Sequence, residues 1–383
     1  MPGLVVNRVA PGFLGDALAS FPEGLVVVSG SSGKSTTTKM LVAILTAHGK
    51  RVFTNPSTAN ISQGLTSALL ERASLTGRID ADLAVLEMDE GHGALLSDRF
   101  RARLVLLTNV MTDQIDRFHD AEKVQAMLGR IAARATGTVV INGDDALLAR
   151  LEPTARVERF GVTDEVLSRS PRGLGYAETT RARIGDGVVV SAVAGRSAEI
   201  VLGGDALSVQ LPAKGVHYAV DAAGALAAAA QLLGPAFDPA LATAALAAMT
   251  PVFGRGEVIA VRGQEVEFVL VQNPASFQLN VDELDPDLDQ IMIAMGSDVR
   301  DPSYFWPVDT TRVRRALFVS GSKADELALQ LLYQGVEIGS IEPDVAVALD
   351  RFLALPAPEH GIKTIVFTAD AMRRIRSHLG LVA

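Results

Sequence analysis

The stretch GSSGKSTTT, Gly30 to Thr38, follows directly on the apolar run Leu25–Val28. Glycines that let backbone N–H groups approach an anion, a lysine that neutralises it and a serine that ligates Mg²⁺ are the parts of a phosphate-binding loop. Gly30, Ser31, Ser32, Gly33, Lys34, Ser35 and Thr36 are therefore assigned to a nucleoside triphosphate. The N–H groups of Gly30 to Lys34 are expected to ring the β- and γ-phosphates, with Lys34 catalytic and Ser35 on the metal. Val28 stands where the longer G-x-x-x-x-G-K-[ST] pattern has its first glycine, which leaves the short form G-x-x-G-K-[ST]-T-T.

Three more polar clusters follow apolar runs that read as strands, Leu83–Leu86, Leu104–Leu107 and Thr138–Ile141. They are LEMDEG with Glu87, then Thr108-Asn109 with Asp113 and Asp116, then Asn142-Gly-Asp144-Asp145. Taken singly, each also reads as a polar loop that caps a helix. Ligand sites in open α/β sheets gather where strands end, so the clusters can converge on one nucleotide, with Glu87 as a second Mg²⁺ ligand.

The elements that must position these groups alternate as in an α/β fold, with helices expected at Thr36–His48 and Ala121–Ala135. Gly49 can take the left-handed cap that stops the first of them. Between 155 and 211 short alternating runs predict a small antiparallel sheet, and His217–Leu233, rich in alanine and leucine, predicts a buried helix. PVFGRGE, 251–257, reads as a loop, after which strands at Glu267–Val271, Ile291–Met295, Ala316–Ser320 and Thr364–Thr368 and a helix at Lys323–Tyr333 make a second, Rossmann-like α/β domain. The boundary is set at 1–250 and 251–383.

Composition narrows the function. Of 383 residues, 48% are hydrophobic, enough for real cores, and the net charge of −9 with no basic run disfavours nucleic acid. The sequence shows neither an apolar run long enough to span a membrane nor the order of a signal peptide, and a cytoplasmic protein is expected. It has no cysteine, which excludes disulfides, cysteine-bound zinc and a cysteine nucleophile within the chain, and its six histidines have no metal-ligand spacing.

Taken together, GSSGKSTTT, TNPSTANISQGL, LEMDEG, TNVMTDQIDRF, NGDDALL, KGVHYAVDAAGALAAA and FGRGE resemble the Mur ligase family over essentially the whole chain. The C-terminal stretches LVQNPASF, DPSYFW and SGSKADELALQLLYQGVEIG resemble its MurT-type branch, the ligase subunits of lipid II isoglutaminyl synthases. The resemblance implies a P-loop central domain, 1–250, with an inserted antiparallel sheet, and a C-terminal MurT-type domain, 251–383. It implies ATP and Mg²⁺ as cofactors and a carboxylate, the D-glutamate α-carboxyl of a lipid-linked peptidoglycan precursor, activated as an acyl phosphate for amidation. The partner implied is a GatD-like class I glutamine amidotransferase, and reaching a lipid-linked substrate implies contact with the inner face of the membrane.

By the same resemblance, Asn109 and Arg255 lie near the phosphates, and Asn60, Asp113, Asp116 and Asn273 serve the substrate. Asp301 completes the partner's catalytic triad. Three departures stand out. No four-cysteine zinc ribbon can form, so no zinc is expected. The usual H-N-x-x-N reads His217-Tyr218-Ala-Val-Asp221, and the usual D-x-S-W-x-W-D has Tyr304 and Pro307 where a tryptophan and an aspartate stand, with Trp306 kept; Leu128 in place of the lysine that amino-acid-adding members carbamylate agrees with the MurT-type branch. A Mur-like ligase that adds an amino acid, and a P-loop ATPase that drives a partner, stay open on this reading.

Overall fold

Leu25–Ser29 is buried at every position and forms strand β1, and such unbroken apolar runs are what a parallel strand covered on both faces requires. The computed structural model describes residues 2–56, 62–74, 77–111, 120–170, 173–178, 187–250, 254–285 and 287–381. The chain divides into two compact units, Met1–Pro212 with Val216–Met249, and Ala213–Gly215 with Thr250–Ala383.

In the first unit β1 is joined by β2 (Val52–Thr54), β3 (Leu83–Glu87), β4 (Ala102–Leu107), β5 (Ala135–Asn142), β6 (Arg156–Val162), β7 (Val188–Ala194), β8 (Ser197–Leu202) and β9 (Asp205–Gln210). Among the described residues they make one nine-stranded sheet, β2-β3-β1-β4-β5-β6-β7-β8-β9. It is parallel from β2 to β7, and only β7-β8-β9 is antiparallel. The hairpins expected between 155 and 211 are therefore an extension of the main sheet, and Arg156–Val162, read as part of them, pairs parallel with β5.

The helix Lys34–Ala47 leaves β1 and stops where Gly49 takes φ 78°. The helix Val216–Leu233 is long and apolar enough by length and composition to cross a membrane, yet it packs against β5 to β8 and the Lys34–Ala47 helix. Gly224 lies flat on the Phe160 ring there, where a Cβ would stand only 3.0 Å from it.

The second unit holds β10 (Arg255–Val261), β11 (Gln264–Leu270), β12 (Ile291–Ala294), β13 (Arg315–Ser320), β14 (Glu337–Glu342) and β15 (Lys363–Phe367) in the order β10-β11-β15-β12-β13-β14. All pairs are parallel except β10 with β11, a hairpin turned at Arg262-Gly263, both at positive φ. Strand period sorts its two cores: Ile291 and Ile293 face one with Phe277 and Phe305, while Met292 and Ala294 face the other with Phe318 and Phe352. The loop expected over 251–257 is corrected at its end, since β10 begins at Arg255. The glycine that suggested a loop makes a bulge: Gly256 has φ 67° and the register shifts between Arg255 and Glu257.

Candidate functional site

At the carboxyl end of β1 the chain turns through Gly30, φ 137°, and Gly33, φ 79°, into the Lys34–Ala47 helix. Glycine is required at both. A Cβ on Gly30 would overlap Thr108 Oγ1, and one on Gly33 would overlap the Asp221 carboxylate. Thr37 N–H makes the first bond of the helix, to Gly33 O at 2.9 Å, so the N–H groups of Gly33, Lys34 and Ser35 precede the ladder and have no partner within it. With the positive end of the helix dipole behind them, they form a cradle for an anion.

The cradle is narrower than the sequence reading had it. Ser31 N–H donates to Asn109 O at 2.9 Å and Ser32 N–H to Asn109 Oδ1 at 2.9 Å, so these two groups serve the loop's own shape. Asn109 Nδ2 also donates to Ser32 O at 3.2 Å. Asn109, expected near the phosphates, thus holds Ser32 at both its N–H and its C=O. Ser31 Oγ accepts from Met111 N–H at 3.1 Å, and Thr108 Oγ1 donates to Ser32 O at 2.7 Å. The loop is pinned along its length by residues 108–111.

Lys34 Nζ donates to Gly30 O and, at 3.2 Å, to Ser31 O, and stands 3.4 Å from the fully buried carboxylate of Glu90. Glu90, which the sequence reading passed over in LEMDEG, is therefore the acid beside Lys34. Asp89 in the same motif caps the helix Glu90–Leu96. Glu87 ends β3 directly opposite Val28 of β1, buried at 5% exposure, and Ser29 Oγ donates to Met88 O at 2.9 Å. Ser35 on the first helical turn and Glu87 on the neighbouring strand end thus share the carboxyl edge of the sheet.

Behind this edge lies a buried polar network. Asn142 Nδ2 donates to Thr108 O at 2.9 Å and to Tyr176 Oη at 2.8 Å. Asp145 accepts from Val110 N–H at 2.6 Å and caps Leu147 and Leu148. Burial raises its carboxyl to about 6 against those three donors. Burial, reinforced by the nearby charges of Asp144, Asp145 and Asp221, also lifts the Tyr176 phenol well above its ordinary value. Within the NGDD cluster, read as ligand-facing, Asn142 and Asp145 brace residues 108–110, while Asp144 accepts from Val162 N–H at 2.7 Å. Tyr176 has no local sequence signal for its place, since it arrives from 34 residues along the chain, and the motif position of Asp221 does not tell that its carboxylate lies against Gly33.

The other assigned residues fare differently. Asn60, Asp113 and Asp116 lie outside the described residues, as does the Arg255 side chain. Asn273, assigned to substrate, caps the helix Pro274–Glu283: its Oδ1 accepts from Ser276 N–H at 2.6 Å in a reciprocal capping box. Asp301 accepts from Ser303 N–H at 3.0 Å and Ser303 Oγ at 2.7 Å, which hold its carboxyl below the ordinary range, and it stays exposed. Leu128 is fully buried in the helix Ala121–Ala132.

The site residues fit a nucleotide with Mg²⁺: one carboxylate, one hydroxyl and the substrate's own phosphates are what that cation takes, with no all-protein cage. Among the described residues no three His, Asp or Glu side chains cluster to hold a metal by themselves.

Residues 28–229 match the family model of the Mur ligase middle domain. The subunit MurT of the lipid II isoglutaminyl synthase (glutamine-hydrolyzing) of Streptococcus pneumoniae is 30% identical, covering 80% of this chain and 76% of its own. The UDP-N-acetylmuramate–L-alanine ligase of Thermobifida fusca is 26% identical, covering 90% and 70%. The crystal structure of MurF ligase from Thermotoga maritima in complex with ADP superposes with a TM-score of 0.69 at 18% identity, over 99% of this chain and 83% of that one.

Proposed function

Because the chain belongs to the Mur ligase family, in which it is similar over most of its length to a MurT subunit, we propose that it is the ligase subunit of a lipid II isoglutaminyl synthase. It is an ATP-dependent amide ligase. In the reaction proposed, a carboxylate oxygen, that of the D-glutamate α-carboxyl of lipid II, attacks the γ-phosphorus of ATP and ADP leaves. Ammonia then attacks the acyl carbon of the resulting acyl phosphate, phosphate leaves, and the amine proton passes to solvent.

The observation that carries this reading is the glycine-turned cradle with Lys34 at a helix N-terminus and Glu87 across the strand edge. The N–H groups of Gly33, Lys34 and Ser35 would bind phosphate oxygens, and Lys34 would exchange Gly30 O and Ser31 O for them. Ser35 and Glu87 would hold Mg²⁺, which when bound neutralises charge building on the transferring phosphoryl group. Asn109, Thr108 and Asp145 keep the loop in shape before the nucleotide arrives, which spares the reaction that reorganisation.

Glutamine hydrolysis by a thiolate needs a nucleophile that a chain without cysteine does not have. A GatD-like amidotransferase subunit would supply it, with Asp301 orienting that subunit's histidine. The support in this chain is exposure: Asp301 lies one short turn from Trp306, 48% exposed and in ring contact at 6.1 Å with Tyr333, 78% exposed. Leu128 in place of a lysine favours ammonia over an amino acid as the acceptor.

The purified chain, given ATP, Mg²⁺, lipid II and an ammonium salt, is expected to yield the amidated lipid by mass spectrometry, and to release no ammonia from glutamine when alone. An amino-acid adduct, or ATP turnover indifferent to lipid II, refutes the reading.

A further inference from the structure

We propose that Asn55 is a positioning residue for Glu87 and so sets the affinity of the site for its divalent cation, an inference that rests on the reading of Glu87 as a metal ligand. Asn55 lies in TNPSTANISQGL, but that pattern assigns it no role; the register of the sheet does. Strand β2 ends with Thr54 opposite Val85. Among the described residues the pairing ends there, so β2 offers no ladder partner to Glu87 two residues further along β3.

On its other side β3 is met by β1, and there Met88 N–H, not Glu87, bonds to Val28 O at 3.0 Å. The backbone groups of Glu87 therefore face the failing side of the pairing, at a buried position where unpaired polar groups are costly. The Asn55 side chain takes up both: its Nδ2 donates to Glu87 O at 3.0 Å and its Oδ1 accepts from Glu87 N–H at 3.0 Å. Asn55 is itself 6% exposed.

A primary amide on a one-carbon stem presents a donor and an acceptor side by side, so one side chain supplies what two successive peptide groups of a neighbouring parallel strand would give. Asn109 treats Ser32 in the same way at the other edge of β1, with bonds of 2.9 and 3.2 Å. Two asparagines thus flank the cradle. One fixes the phosphate loop and the other fixes the strand end that carries the carboxylate. Groups that orient a metal ligand from behind typically control affinity by about 10–100-fold.

The test uses Mn²⁺ in place of Mg²⁺, titrated by electron paramagnetic resonance into the full chain with a non-hydrolysable ATP analogue. Analogue affinity without metal and thermal unfolding are followed in parallel. Asn55→Ala is expected to weaken Mn²⁺ about tenfold or more while metal-free analogue affinity holds, and to add nothing on a Glu87→Gln background. Asn55→Ser carries the same expectation if the alanine variant does not fold. Unchanged Mn²⁺ affinity, a loss additive with Glu87→Gln, or an equal fall in metal-free analogue affinity overturns the proposal. If Glu87→Gln itself leaves Mn²⁺ binding intact, the assignment of Glu87 fails instead, and the inference with it.

Discussion

The phosphate-loop edge of the first unit and the Asp301 turn of the second are built on opposite plans. Around Gly30–Ser35 the bonds that give the backbone its shape come from residues far along the chain: Asn109, Thr108 and Met111 on the loop, Asn55 on Glu87, and Asp145 on Val110. At Asp301 the carboxylate accepts from Ser303, two residues on, and lies in solvent. A site fixed by cross-strand bonds is ready before its ligand comes. A carboxylate held by a single local turn acquires a fixed environment only from another molecule, which is the role proposed for it.

The contrast predicts where substitutions bite. Lys34→Ala removes the charge that the cradle presents to phosphate and is expected to lower ATP-dependent turnover by roughly 10²–10³-fold with any nitrogen source, at near-normal melting temperature. Turnover within a few-fold of wild type would dissolve the cradle assignment.

Asp145 tests the brace through pH. Burial pushes its folded carboxyl up to about 6 from an ordinary 3.8, so the folded chain holds that proton more tightly than the unfolded chain. Stability from this group is accordingly highest below that window and falls as pH rises through it, by about 3 kcal/mol at most, then levels. Denaturant unfolding of wild type and Asp145→Asn between pH 4 and 8 is expected to show the wild-type slope missing from the variant, although losing the Val110 bond lowers the variant throughout. Parallel pH curves contradict it.

Asn109→Ala is expected to act less strongly and in a particular direction. Two hydrogen bonds to Ser32 at about 1 kcal/mol each correspond to roughly thirtyfold, seen mainly in KM for ATP while kcat changes little. If kcat falls and KM does not, Asn109 touches the reacting groups and the sequence reading of it was right.

That last alternative shows what was legible. The strand, turn and helix of 25–47 could be read because local chemistry dictates them: an unbroken Leu-Val run, glycines at positive φ and a Lys-Ser pair at a helix start. The strand-end clusters were legible as positions but not as roles, because whether Asn109, Asn142 or Asp145 faces a ligand or a neighbouring backbone depends on pairing across the sheet. Asn55 and Glu90 were missed for the same reason. Asn273, assigned to substrate, caps a helix here, and an asparagine before Pro-Ala-Ser reads either way from sequence. PVFGRGE read as loop because a bulge and a loop spend the same glycines.

The most direct measurement compares Asp301→Asn with Lys34→Ala in the presence of the proposed glutamine amidotransferase subunit, each assayed for lipid II amidation with glutamine and with an ammonium salt. The account predicts that Lys34→Ala loses both activities, while Asp301→Asn still forms the complex and keeps the ammonium reaction but loses the glutamine reaction. That loss is on the order of 10⁴-fold where the aspartate orients a catalytic histidine. If Asp301→Asn leaves both nitrogen sources equally effective, Asp301 only starts the turn at Pro302, and the division of labour between the two regions is wrong.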